Sequence, residues 1–235
     1  MRILWGLVLY LLTGLHTVAS ASGRFSIEVA PALSFNKVYY YTKPVCRSQG
    51  SVLRISFGAS RHFPLQESSS ISTGMAYSFG HIGLTRLAEA SAPAVNEQYL
   101  VHYIWVPILF RLYTSEISID TSLYFKIGPM PSIFLIRRPT SLLPTGENSL
   151  VHMRRLGLFF LLGTGLKYDF GFNNSCTFGL NYCFDVFGVM HKKEDAISGN
   201  IFCHNNFICL DLGFLFHGTE KGVVSEKMND PTKME

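Results

Sequence analysis

Five cysteines, eight histidines and two arginine pairs carry most of the chemical potential of this 235-residue chain. The arginines stand as Arg137-Arg138 and Arg154-Arg155, matching doublets at the two ends of one polar stretch. A guanidinium is a planar fork that holds phosphate through parallel N–H bonds. These four are therefore a candidate phosphate-headgroup contact, although single-sign pairs on a solvated rim look the same. Nucleophilic catalysis needs a nucleophile, a base and an orienting group brought together. His81, His102, His152, His191 and His204, with Ser149, are the nearest approach, and no Gly-x-Ser-x-Gly elbow accompanies them. The sequence therefore reads as non-enzymatic, with a lipid-modifying acyl hydrolase or acyltransferase as the enzyme alternative.

Metal and cofactor sites are not expected. The cysteines, Cys46, Cys176, Cys183, Cys203 and Cys209, include no CxxC, and Cys203-His204 are adjacent without a second ligand pair. No cofactor motif stands out. A formal charge of +4, without a basic helix or a clustered aromatic-basic surface, gives nucleic acid no footing.

The elements that would position these residues are strands. From Phe25 to Phe216, segment after segment alternates apolar with small or polar residues, which in a strand separates two faces. Eight strands are expected: Phe25–Tyr39, Ser51–His62, Ser70–Leu84, Tyr99–Tyr113, Glu116 to about Ile136, Leu156–Phe170, Cys176–Gly188 and Asn206–Phe216. In the sixth, Phe159 and Leu161 alone interrupt a face of Gly157, Gly163, Gly165, Lys167 and Asp169. Links after the second, fourth and sixth strands are short (Pro64–Ser69, around Ser115, Phe172–Ser175). Those after the odd strands are long (Tyr40–Gly50, Arg86–Gln98, Arg137–Arg155, His191–Phe202).

Composition points the same way. Hydrophobic residues make up 48% and charged ones 15%, yet no mature segment holds the roughly 18 apolar residues of a spanning helix. Arg2, the apolar run Ile3–Leu15 and the small residues Ala19-Ser20-Ala21 read as a signal peptide over residues 1–21. Residues 22–217 then form a closed antiparallel transmembrane β-barrel of about eight strands. Residues 218–235 form a polar tail with nothing to bury. Short turns alternating with long outer loops are the geometry of a bacterial outer-membrane barrel. In that setting, the arginine quartet would meet lipopolysaccharide.

Alternation alone leaves the apolar face pointing either into lipid or into a ligand cavity, as in a secreted lipocalin-like barrel. Here the polar face is mostly Gly, Ser and Ala with isolated charges, which suits the cramped interior of a small barrel. That places Arg54, Arg111, Lys126 and Lys167 inside with Glu28, Asp120, Asp169, Asp185 and Asp211. Charges in such a space must be paired or hydrated, so the lumen is expected to be filled and closed. Tyr39, Tyr40 and Tyr41 at outer ends, and Tyr113, Phe170, Phe172 and Phe216 at inner ends, would supply interfacial girdles.

The same layout bears on the cysteines. A symmetric hairpin centred near Ala196 would set Cys183 opposite Cys209, and barrel closure would make Cys46 and Cys203 loop neighbours. An odd cysteine count leaves at least one unpaired within the chain, and spacing does not fix connectivity.

At the fourth and fifth strands the text is more specific. Tyr103-Ile104-Trp105-Val106-Pro107-Ile108-Leu109-Phe110-Arg111, followed by Tyr124-Phe125-Lys126-Ile127-Gly128-Pro129, resembles the PorT-like outer-membrane β-barrel family. There a strand with an apolar-Pro-apolar core precedes one ending in Gly-Pro. The likeness extends loosely from Phe25 to Phe216. It implies an integral outer-membrane barrel, linked in some members to protein secretion. One departure is that nineteen residues follow Phe216, whereas outer-membrane strands commonly finish at a terminal aromatic. The expected partners are outer-membrane lipid, lipopolysaccharide, and a secretion-machinery or surface protein.

Overall fold

The computed structural model describes residues 24–40, 46–86, 95–139, 152–170, 174–188, 190–193 and 200–216. The expected signal peptide and tail lie outside the described residues, as do Ser149 and the side chains of Cys46, Arg137 and Arg138. In chain order the strands are β1 (Arg24–Tyr40), β2 (Cys46–Ser48), β3 (Ser51–Gln66), β4 (Ser69–Arg86), β5 (Val95–Trp105), β6 (Ile108–Ser118), β7 (Thr121–Pro139), β8 (His152–Met153), β9 (Leu156–Asp169), β10 (Asn174–Asp185), β11 (Met190–Lys193) and β12 (Asn200–Phe216).

The wall runs β1-β3-β4-β5/β6-β7-β9-β10-β12, each strand antiparallel to the next, and β12 pairs back onto β1. That last pairing, from Phe25↔Phe216 to Tyr40↔Ile201, closes the ring. Closure abolishes the edges an open sheet would expose. β5 and β6 are one wall strand interrupted at Val106 and Pro107, since both pair with β4 and with β7. The wall therefore has the eight strands expected. The short strands β2, β8 and β11 extend it at the loop end, where they pair with β4, with each other and with β12.

The side chains settle the orientation. Along β10, Phe178, Leu180 and Tyr182 are 56%, 52% and 41% exposed, while Gly179 and Asn181 between them are buried. The same division holds around the ring, with Leu53, Ile127, Leu162 and Leu212 outside and Ser56, Ser78, Lys126 and Asp211 inside. A lipocalin-like barrel would show the reverse. That alternative is excluded.

The sequence reading needs correction at one turn. The fourth strand does not stop near Ser115: β6 runs on to Ser118, and a two-residue turn of Ile119 and Asp120 leads into β7. Asp120 sits at φ 56°, a left-handed conformation that aspartate tolerates better than most side chains. It is exposed at the turn end and does not face the lumen. Tyr113 also differs from expectation. It lines a pocket at that mouth with Arg24 and His62, so it is not part of a lipid-facing girdle. Phe25, Phe214, Phe216, Phe170 and Tyr168 do form a ring-to-ring cluster at that rim.

Candidate functional site

The functional space is the lumen, and its contents change from the turn end to the loop end. Near the turn end, β9 brings Lys167 Nζ to 2.7 Å from the Asp169 carboxylate, which also accepts from the Ser175 hydroxyl. Beside them a pocket of about 290 Å³ opens at the mouth.

Next come charges on four strands, β1, β6, β7 and β12. Glu28 (β1) meets Arg111 (β6) at 2.6 Å and Lys126 (β7) at 4.0 Å. Lys126 also reaches Asp211 (β12) at 2.6 Å, and the Tyr124 hydroxyl donates to the same oxygen at 2.7 Å. Arg111 Nε donates to Ser72, Ser26 donates to Glu28, and His62 Nε2 lies 2.8 Å from the Ser26 hydroxyl. Buried charges are tolerable only when paired and hydrogen-bonded in this way. Small residues make the room. At Gly179, a Cβ would meet the Tyr124 hydroxyl at 2.3 Å, so no larger residue leaves Tyr124 in place.

Above this layer lies a cavity of about 60 Å³, lined on one side by Lys126 and Asp211 and on the other by Trp105, Leu161 and Phe207. That is the room of about two water molecules. An aromatic stack roofs it. Trp105 and Phe207 lie 5.3 Å apart and parallel to within 4°, Phe159 packs on both, and Tyr103 meets Phe159 edge-on. Arg54 spreads over the Tyr103 and Phe207 rings at 4.7 and 4.9 Å, a desolvated arrangement worth about 2 kcal/mol.

Arg54 has no carboxylate in direct contact among the described residues. Its Nη2 donates to the Tyr103 hydroxyl, to which Asn205 Nδ2 also donates, and the Asn205 backbone N–H donates to Asp185. Asp185 accepts from Gly188 N–H as well. With Asp120 removed from the set, the eight remaining charges balance as Arg54, Arg111, Lys126 and Lys167 against Glu28, Asp169, Asp185 and Asp211.

Arg154 and Arg155 are exposed at the loop end; the Arg137 and Arg138 backbones pair with Val101 and Leu100 on β5. His102 Nδ1 is hydrogen-bonded to the Tyr77 hydroxyl on the outward face, and His204 Nδ1 to the Asp185 carbonyl. The backbones of His152 and His191 stand opposite each other between β8 and β11. Cys183 and Cys209 are separate thiols, because the observed register sets Cys183 opposite Phe207 and Cys209 opposite Asn181. Among the described residues no set of three His, Cys, Asp or Glu is placed to hold a metal ion.

Sequence reasoning anticipated the small and charged lining but not the aromatic roof. Its signal was present in Phe159 and Leu161, which break the small-residue face of their strand, and in Tyr103 and Trp105 on the inward phase of β5.

Residues 20–185 match the family described as outer membrane protein beta-barrel domain. The chain belongs to this family. Its turn end therefore faces the periplasm and its loop end the exterior. No curated protein matches the sequence. Among solved structures, OprG from Pseudomonas aeruginosa aligns over 85% of this chain and 98% of its own, with 7% identity and a TM-score of 0.53. Neisserial surface protein A aligns over 83% and 97%, with 12% identity and a TM-score of 0.44. The outer membrane enzyme PagL aligns over 81% and 99%, with 11% identity and a TM-score of 0.37. OprG establishes likeness of fold alone. The protein is an integral outer-membrane β-barrel whose described lumen is filled.

Proposed function

We propose that the protein is a non-conducting, non-enzymatic outer-membrane component whose exterior loops make its contacts, either in protein secretion or at the cell surface. One observation carries the reading. The lumen is obstructed twice, by the Glu28–Arg111–Lys126–Asp211 layer and by the Trp105–Phe207–Phe159 stack, leaving about 60 Å³ between them. An eight-stranded barrel has little further room for a path. What is left to recognise a partner is the loop end, where β2, β8 and β11 prolong the wall.

The PorT-like resemblance supports the secretion branch, since its motif residues Trp105, Pro107, Arg111, Tyr124 and Lys126 are the ones that line and seal the lumen. In this reading the leader is removed near Ala21. Arg137, Arg138, Arg154 and Arg155 then hold lipopolysaccharide phosphates at the rim. Wild-type protein refolded into planar bilayers should give no stable conductance. An ion-selective channel of steady amplitude would sink the proposal. Affinity capture from native outer membranes separates the branches: periplasmic secretion components favour the first, exterior ligands the second. Replacing all four arginines with Gln should weaken lipopolysaccharide binding, and unchanged binding removes them from the contact.

A further inference from the structure

The mouth at the turn end holds a cation that the ion pairs of the lumen do not use. Arg24, the first residue of β1, stands directly opposite His62 on β3, in phase with buried Ser26 and out of phase with lipid-facing Phe25. It is therefore on the interior face. Half-buried there, its side chain makes no ion pair or hydrogen bond with any described residue. The neighbouring cations are already matched, Arg111 by Glu28 and Lys167 by Asp169. The balance of lumen charges is complete without Arg24.

Beside it lies the mouth pocket of about 290 Å³, lined by Arg24, His62, Ser69, Ser70 and Tyr113. That is close to the lower bound for small-molecule sites, about 300 Å³. The Ser70 hydroxyl has no hydrogen-bond partner among the described residues. His62 is fixed in place. The Ser26 hydroxyl gives its single proton to Glu28, so His62 Nε2 donates to Ser26 Oγ at 2.8 Å. Glu67, the carboxylate in the lining, is exposed in the turn between β3 and β4.

We propose that this pocket is a binding site for a carboxylate-bearing ligand from the periplasm, held by the Arg24 guanidinium. A guanidinium takes a carboxylate through two parallel N–H bonds. One uncompensated positive charge, with Glu67 at the lip, matches a monoanion better than a phosphate dianion. The volume admits a free short acid or the acidic side chain of a polypeptide, and the two share this chemistry. The inference rests on the orientation that turns this mouth to the periplasm, not on the choice between secretion and surface roles. Conductance and exterior-loop contacts are independent of its outcome.

The test uses protein refolded in a non-ionic detergent with carbon-13 in its tyrosines, the Tyr113 ring signal being assigned by its loss in Tyr113→Phe. The probes are acetate and the capped peptide acetyl-Gly-Glu-Gly-amide. Their uncharged controls are acetamide and the same peptide with glutamine. A carboxylate probe should shift the Tyr113 signal saturably, and its control should not. Arg24→Gln should weaken the response about tenfold or more, and Arg24→Lys, which keeps the charge without the fork, should restore part of it. Unchanged Tyr103 and Tyr124 signals in both variants would show that the lumen is intact. Saturation by acetate alone assigns the pocket to free acids, and by the peptide alone to polypeptide side chains; either upholds carboxylate binding. The proposal is overturned by the absence of a saturable shift, by equal shifts with the uncharged controls, by inorganic phosphate binding more tightly than acetate, or by an unchanged response in Arg24→Gln.

Discussion

Asp211 satisfies two groups at once, the Lys126 ammonium and the Tyr124 hydroxyl, and both meet its Oδ2. Removing one partner of a buried pair leaves the other charged and uncompensated, which costs about 3–5 kcal/mol. Asp211→Leu should therefore lower unfolding stability in lipid vesicles by roughly that amount, and planar bilayers should still show no conductance, because the aromatic roof is untouched. A loss below about 1 kcal/mol, the scale of an exposed ion pair, would mean the pair is solvated. Glu28 with Arg111 gives the contrasting case. Exchanging both for apolar residues of similar volume removes the charge and its desolvation penalty together. The double variant Glu28→Leu/Arg111→Met should cost less than Arg111→Met alone, as urea titration of the three proteins would reveal.

The strands explain why these residues meet. Period-two alternation was legible throughout, and with it the inside placement of Arg54, Arg111, Lys126, Lys167 and Asp211. Alternation has no mark for a two-residue turn, however, so Asp120 stayed in phase with Ser122 and Tyr124 and was assigned to the lumen; only its φ of 56° and its exposure reveal the turn. The cysteine register was misread for a related reason. A shift of two residues along a strand keeps every side chain on its own face, so patterning cannot detect it. The aromatic roof was obscured because bulky residues in a small-residue phase look like noise until the facing strands are known. Two substitutions test this scale. Ile127→Arg, lipid-facing and 42% exposed on β7, should destabilise by about 2–4 kcal/mol if it lies at the bilayer midplane. Gly179→Val should displace Tyr124 from Asp211 and cost about 1–3 kcal/mol through overpacking. Vesicle unfolding curves report both.

Across the whole molecule, the β1–β12 seam makes stability a property of the closed ring. Unboiled protein in detergent should accordingly migrate as a compact band that shifts on heating, and a single boiled-like band at all temperatures would contradict the closed wall. The stacked pair Trp105 and Phe207 has a consequence of its own. The chain contains two tryptophans, Trp5 and Trp105, so in protein refolded from Ser22 onward Trp105 is the sole indole emitter. Its stacking partner belongs to the final strand. Intrinsic fluorescence during refolding thus becomes a stopwatch for ring completion, because a blue-shifted signal must wait until the last segment docks.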